Sequence, residues 1–221
     1  NAMGYDAMVV GQIDISLGLE QLKKLGSESK FPFLSANIVS KANNEPIFTP
    51  YTILERGGKK IAIIGLSDLQ ATAPLASSAE ATVLDPVQSA QQLVGQLRSQ
   101  VDLLIILSRL GIDADRALAQ SVPGIDIIVG GNTRKLMPQP ERAGDTLIIQ
   151  QGYLGEWMGV LEVAYAQGKP IQAQERVISL TPDYQDDPEM AALLSKYAEL
   201  YPTPTATPPF GLQSATSTPG R

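Results

Sequence analysis

Short, almost purely apolar runs alternate along the chain with longer amphipathic ones, as in a sheet whose strands are covered on both faces. Residues 7–10 form one such run and stop at Gly11. GLEQLKKLG (18–26) sets Leu19, Leu22 and Leu25 on one helical face and closes on a glycine, which predicts a short amphipathic helix. FPFLSAN (31–37) predicts a strand entered through Pro32. Two β-rich runs meet at Gly57-Gly58 and predict a hairpin, its second arm (60–66) nearly all apolar. Asp85 and Pro86 predict a helix to Leu97, with Asp85 as N-cap and Pro86 in the first helical position. VDLLIILSRLG (101–111) is a second buried strand, after which Asp113 is placed to cap a helix carrying Leu118. GIDIIVGGNTRK (124–135) is a third. Residues 145–180 alternate as three antiparallel strands with Gly168-Lys169 in the last turn, and 188–200 predicts a closing helix. The resulting domain runs over 1–200. Residues 201–221, rich in Pro, Thr and Ser, read as a linker or tail that cannot build a core.

The three buried strands share an ending: Gly11-Gln12, Ser108-Arg109 and Gly130-Gly131-Asn132. Ligands of open α/β sheets collect at the carboxyl ends of strands, so these loops are expected to converge. Composition then narrows the chemistry. The 221 residues carry a net charge of −6, which argues against a general nucleic-acid binder. There is no cysteine and no histidine, which removes thiolate nucleophiles, zinc–thiolate sites and every Ser–His or Cys–His arrangement. Any metal would need an oxygen-ligand site. No run of about 18 apolar residues is present, so no membrane insertion is expected. The chain opens almost directly into a strand, as if further domains of a longer chain lay upstream or downstream.

In order and spacing, MGYDAMVVG, FPFLSAN, GGKKIAIIGLS, DPV at a helix start, VDLLIILSRLG, PGIDIIVGGNTRK and LIIQQGYLGEWMGVLEV resemble the 5′-nucleotidase branch of the calcineurin-like metallophosphoesterases, over residues 4–200. The resemblance implies an α/β fold of two mixed sheets packed face to face and flanked by helices, a four-layer sandwich here lacking its first strands. It also implies, for the family, two metal ions that activate a water against a nucleotide phosphate, held by Asp, Asn and His from five motifs. The first two motifs would fall upstream of residue 1. The third, Gly-Asn-His-Glu in the family, falls on Gly11, Gln12, Ile13 and Asp14. The fourth, Ser-His, falls on Ser108 and Arg109. The fifth, Gly-Gly-His-x-His, falls on Gly130, Gly131, Asn132, Thr133 and Arg134. The glycines and serine of the frame are kept, while Gln12, Ile13, Asp14, Arg109, Asn132 and Arg134 replace the metal-binding or catalytic side chains.

Guanidinium groups stay protonated and offer no lone pair to a cation. No residue of the three loops is therefore expected to be catalytic or to ligate metal, and no metal cofactor is expected. The sequence points to a catalytically degenerate 5′-nucleotidase-like domain with a structural or phosphate/nucleotide-binding role. Arg109, Asn132, Arg134, Lys135 and Asn37 are its candidate ligand contacts. The alternative is a metal-dependent phosphoester hydrolase acting on nucleotides. Within the degenerate reading, Arg109 or Arg134 can instead pair with Asp14 or a neighbouring carboxylate and fill the vacated cavity. Asn37 can equally serve strand-end backbone groups. Tyr153 and Trp157 lie near the loops as stacking or packing groups, Asp113 and Asp115 look like helix-start residues, and Ser108 has no base beside it in the motif. An extracytoplasmic location, periplasmic or cell-surface, is expected from the missing cysteine and the tail.

Overall fold

The computed structural model describes residues 1–68, 75, 80–164 and 172–200. The chain forms two compact units, Asn1–Thr181 and Pro182–Arg221. In the first, β1 (Met8–Val9) leads into a one-turn helix α1 (Gln12–Ile15) and then α2 (Leu19–Glu28). Strands β2 (Phe33–Leu34), β3 (Ile38–Ser40), β4 (Tyr51–Arg56), β5 (Lys59–Leu66) and β6 (Ala81–Val83) follow. Next come α3 (Pro86–Leu97), β7 (Leu103–Ser108), α4 (Ile112–Ser121) and β8 (Ile127–Val129). Strands β9 (Glu141–Ala143), β10 (Thr146–Ile149), β11 (Trp157–Ala164) and β12 (Gln172–Ser179) complete the unit. The described part of the second unit contains α5 (Pro188–Leu200), as its sequence predicts.

The main sheet has six strands in the order β4-β5-β7-β8-β10-β9. Its four inner strands run parallel, and the edges β4 and β9 are antiparallel to their neighbours. One face packs on α3 and α4: Ile64, Leu66, Leu104, Ile106, Ile128 and Ile148 meet Val94, Leu97 and Leu118 in a single apolar cluster. The opposite face carries the β11–β12 hairpin, with Leu161, Val163 and Ala173 over Ile127 and Leu147. Two smaller pairs, parallel β1–β2 and antiparallel β3–β6, sit around a second core of Val10, Leu22, Ile38 and Phe48. The α/β class with a central sheet and flanking helices is as expected. Among the described residues, the layers beside the main sheet are two-stranded pieces rather than a second broad sheet.

Several local expectations hold to the residue. Gly57 and Gly58, with φ of 57° and 71°, make the two-residue turn of the β4–β5 hairpin. The Asp85 side chain accepts the Gln88 backbone N–H at 2.9 Å, and Pro86 opens α3.

Others need correction. Gly26 does not stop α2, which runs on to Glu28; the cap is Ser29, whose N–H donates back to the Gly26 carbonyl. Asp113 is not the cap of α4. Gly111 holds that place, and Asp113 sits exposed in the first turn, bonded to Arg116. FPFLSAN is extended in only two residues before the chain bends into β3. Strand β10 does not join an antiparallel set with β11 and β12. All four of its residues are buried, and it pairs parallel to β8, as expected of an apolar run inside a sheet. Gly168, Lys169 and the 201–221 segment lie outside the described residues.

Candidate ligand site

The carboxyl ends of the inner strands meet the end of β1. Ser67, just past β5, donates its hydroxyl to the Val10 carbonyl at 2.6 Å, and the Arg109 N–H donates to the Leu66 carbonyl at 2.9 Å. The three loops singled out from sequence therefore converge. Gly11 caps α1, and its N–H donates to Asp14 Oδ2 at 2.8 Å, so Asp14 is engaged in closing that turn. Gln12 opens the helix half-buried, and Ile13 is 71% exposed.

Arg109 lies across the loops. A Cβ on Gly11 would sit 2.7 Å from its Nε, and one on Gly131 would sit 3.1 Å from Nη1. Both glycines thus leave the space the guanidinium fills. Arg109 is half-buried. Among the described residues neither Arg109 nor Arg134 forms an ion pair, and the sequence places no Asp or Glu outside them. The internal pair with Asp14 is not made. Arg134 instead rests its guanidinium 4.2 Å from the centroid of the Tyr153 ring. Lys135 and Thr133 are exposed on the same loop, and Asn132 is half-buried.

A buried polar layer underlies these loops. Ser108 donates its hydroxyl to Asp115 Oδ1 and accepts the Leu110 N–H at 3.0 Å. Asp115 is fully buried, which pushes its carboxyl up to about 6 against the opposing effect of the Ser108 hydroxyl. Its Oδ2 has no partner among the described residues and lies where a Cβ on Gly130 would come within 2.6 Å. Beside it lies the buried Gln150 amide; the orientation that satisfies its surroundings has its nitrogen donating to Thr133 Oγ1 at 2.9 Å and its oxygen accepting the N–H groups of Arg134 at 3.0 Å and Lys135 at 2.8 Å. Thr133 Oγ1 in turn accepts the Ile112 N–H at 3.2 Å.

Asn37 is buried behind the junction of Ser67 with Val10, in the seam between the small pairs and β5. Its Nδ2 donates to the carbonyls of Ser67 at 2.8 Å and Leu84 at 3.2 Å, and its Oδ1 accepts the Ser67 N–H at 2.9 Å. Its amide serves backbone groups. Trp157 begins β11, its ring beside Gly152.

Sequence reasoning missed Asp115 and Gln150. Both carried a signal. Asp115 lies three residues after Ile112 and three before Leu118, on the inward side of α4. Gln150 directly follows the buried run Thr146–Ile149.

Of the replaced motif positions, Gln12, Asp14 and Asn132 carry side-chain oxygens, with one Asp14 oxygen already bonded to Gly11. Among the described residues no group of three or more Asp or Glu side chains is placed to hold a metal. Two uncharged amides, a committed carboxylate and a neighbouring guanidinium do not fit a pair of divalent cations.

No family model matches the chain. The 5′-nucleotidase of Diplobatis ommata is 27% identical over 222 residues, which cover 90% of this chain and 38% of the relative. The structure of a 5′-nucleotidase precursor from Thermus thermophilus superposes with a TM-score of 0.78 at 26% identity, over 89% of this chain and 43% of that one. The sulfate thiohydrolase SoxB of Thermus thermophilus gives a TM-score of 0.83 at 27% identity, over 92% and 38%. The chain spans less than half the length of these curated relatives and solved structures. The fold is like that of the calcineurin-like phosphoesterases. In sequence and fold the chain is similar to the 5′-nucleotidase branch of that superfamily.

Proposed function

We propose that this domain is catalytically degenerate and binds a phosphate-bearing ligand, inorganic phosphate or a nucleotide, without hydrolysing it. The observation that carries the reading is Arg109: a half-buried residue whose guanidinium packs on two bare glycines, with no carboxylate bonded to it among the described residues. A partly desolvated cation favours an anionic partner, and the planar fork of arginine suits phosphate oxygens. Asn132, Arg134 and Lys135, on the loop that follows Gly131, add polar and cationic groups to that side of the mouth. Ile13 has no atom able to ligate a metal or carry a proton, so the position supplies no acid–base step. No metal is part of this proposal. An extracytoplasmic location belongs to the same reading, supported by the cysteine-free sequence and by a structural relative whose name calls it a precursor.

Calorimetric titration with inorganic phosphate and with AMP tests the proposal. Both should bind at one site, and Arg109→Ala should weaken binding by about ten- to a hundredfold, the loss of a charge-assisted hydrogen-bonding group. AMP and a chromogenic phosphodiester should show no turnover above a heat-killed control when manganese is added. Manganese-dependent hydrolysis would establish the metal-dependent hydrolase instead, and absence of phosphate binding would leave Arg109 with a packing role only.

A further inference from the structure

The loop that carries the proposed anion contacts has a shape its own residues disfavour. Asn132 has φ of 74° and Arg134 has φ of 57°, two left-handed residues within three positions. Asparagine tolerates that region, but a side chain such as arginine meets its own backbone there. Left alone, the loop would relax and carry the Arg134 side chain elsewhere.

We infer that Gln150 is a positioning residue for the phosphate site, clamping the Asn132–Lys135 loop in its left-handed conformation through two adjacent backbone N–H groups. The inference rests on the phosphate-binding reading for its function, though not for its geometry. Gln150 follows β10 and is 1% exposed. With the amide turned so that its oxygen faces donors and its nitrogen an acceptor, the oxygen accepts the N–H of Arg134 at 3.0 Å and of Lys135 at 2.8 Å, and the nitrogen donates to Thr133 Oγ1 at 2.9 Å. Thr133 Oγ1 also takes the Ile112 N–H at the start of α4. One amide thus ties the loop to β10 and, through threonine, to the helix after Arg109. The acceptor is buried, and when it is removed two donors lose that partner together. Gln150 need not touch the ligand. It acts on the backbone that bears Arg134 and Lys135.

Two measurements read the clamp without ligand. In the wild-type protein, scalar couplings across the hydrogen bonds should connect the amide nitrogens of Arg134 and Lys135 to the Gln150 side-chain carbonyl carbon; their absence overturns the proposal. In Gln150→Leu, the same two amides should exchange with solvent at least about tenfold faster while Ile106 and Ile128 in the core stay protected. Gln150→Glu keeps an acceptor for both N–H groups and should restore slow exchange, a rescue that simple core damage would not show. The third measurement ties the clamp to the site: inorganic phosphate should bind Gln150→Leu about tenfold more weakly than wild type. If wild type binds no phosphate, the site reading fails while the couplings still decide the clamp. If Gln150→Leu binds phosphate as tightly as wild type, the clamp positions nothing and the proposal is overturned. Should Gln150→Leu fail to fold, the couplings and the Gln150→Glu exchange rates decide alone.

Discussion

Asp115 has a chemistry that its place in the sequence does not show. Its carboxyl, fully buried under Ser108 and Gly130, titrates at about 6 rather than 3.8 because burial disfavours the charge. A carboxyl raised in the folded state binds more protons there than in the unfolded chain. Its contribution to stability is therefore complete below pH 4 and is lost as the pH climbs through about 6. The span of that loss is at most about 3 kcal/mol, from a shift near two units. Asp102 and Glu141 pull the opposite way, their carboxyls lowered by a backbone N–H and by Arg116 respectively. A difference between two proteins isolates the buried group. Urea unfolding at pH 4, 5, 6 and 7 should show wild type losing up to about 3 kcal/mol relative to Asp115→Asn across that range. A constant difference would mean that Asp115 is not buried as a neutral acid. From sequence it looks like a solvated helix-start residue beside Asp113, since two acids early in a helix satisfy the dipole equally well. Only the position of Ile112 and Leu118 on the inward side separates them.

At the scale of elements, glycines divide into those that leave space for a neighbour and those that do not. A Cβ on Gly65, in β5, would lie 2.5 Å from Leu34 Cβ and 2.7 Å from its backbone carbonyl carbon, so strand β2 crosses against a bare Cα. Backbone cannot give way as a side-chain tip does. Gly65→Ala should cost about 2–3 kcal/mol. Gly95 in α3 is exposed, and an added Cβ meets nothing within 4 Å, so Gly95→Ala should gain up to about 1 kcal/mol. Thermal unfolding of the two variants should move in opposite directions, and a stabilised Gly65→Ala would contradict the close approach. The same contrast explains what the sequence shows of the elements. Signals that act within a few residues are legible: the Gly57-Gly58 turn and the Asp85 cap stand where the pattern puts them. Choices that depend on a distant partner are not. β10 pairs with β8 while Leu147 packs against Leu161 and Val163 of β11, and Gly26 lies within α2 beside Phe33, neighbours elsewhere along the chain. The site divides in the same way. Convergence of the three loops follows from strand direction, whereas the Arg109 partners and the Gln150 clamp are contacts made across the fold.

Across the first unit as a whole, the main sheet uses its two faces unequally, and adjacent residues of one strand expose the difference. Leu104 points into the cluster shared with α3 and α4 and is fully buried. Leu103, its neighbour in β7, faces the other way and is only half-buried beside the hairpin cluster. Truncating Leu104 removes a whole apolar side chain from a packed interior and leaves a cavity, whereas truncating Leu103 removes area that water partly reaches already. Leu104→Ala should therefore cost about 3–4 kcal/mol and Leu103→Ala about 1–2 kcal/mol in urea unfolding. The ligand site provides an independent check on the layering. The proposed site sits at the carboxyl end of the same strand, at Ser108 and Arg109, so whatever affinity for phosphate the wild type has, a folded Leu103→Ala protein should keep while it loses stability. Equal costs for the two leucines would show that both faces are covered alike, and that the hairpin shields more of the sheet than Ile127 and Leu147.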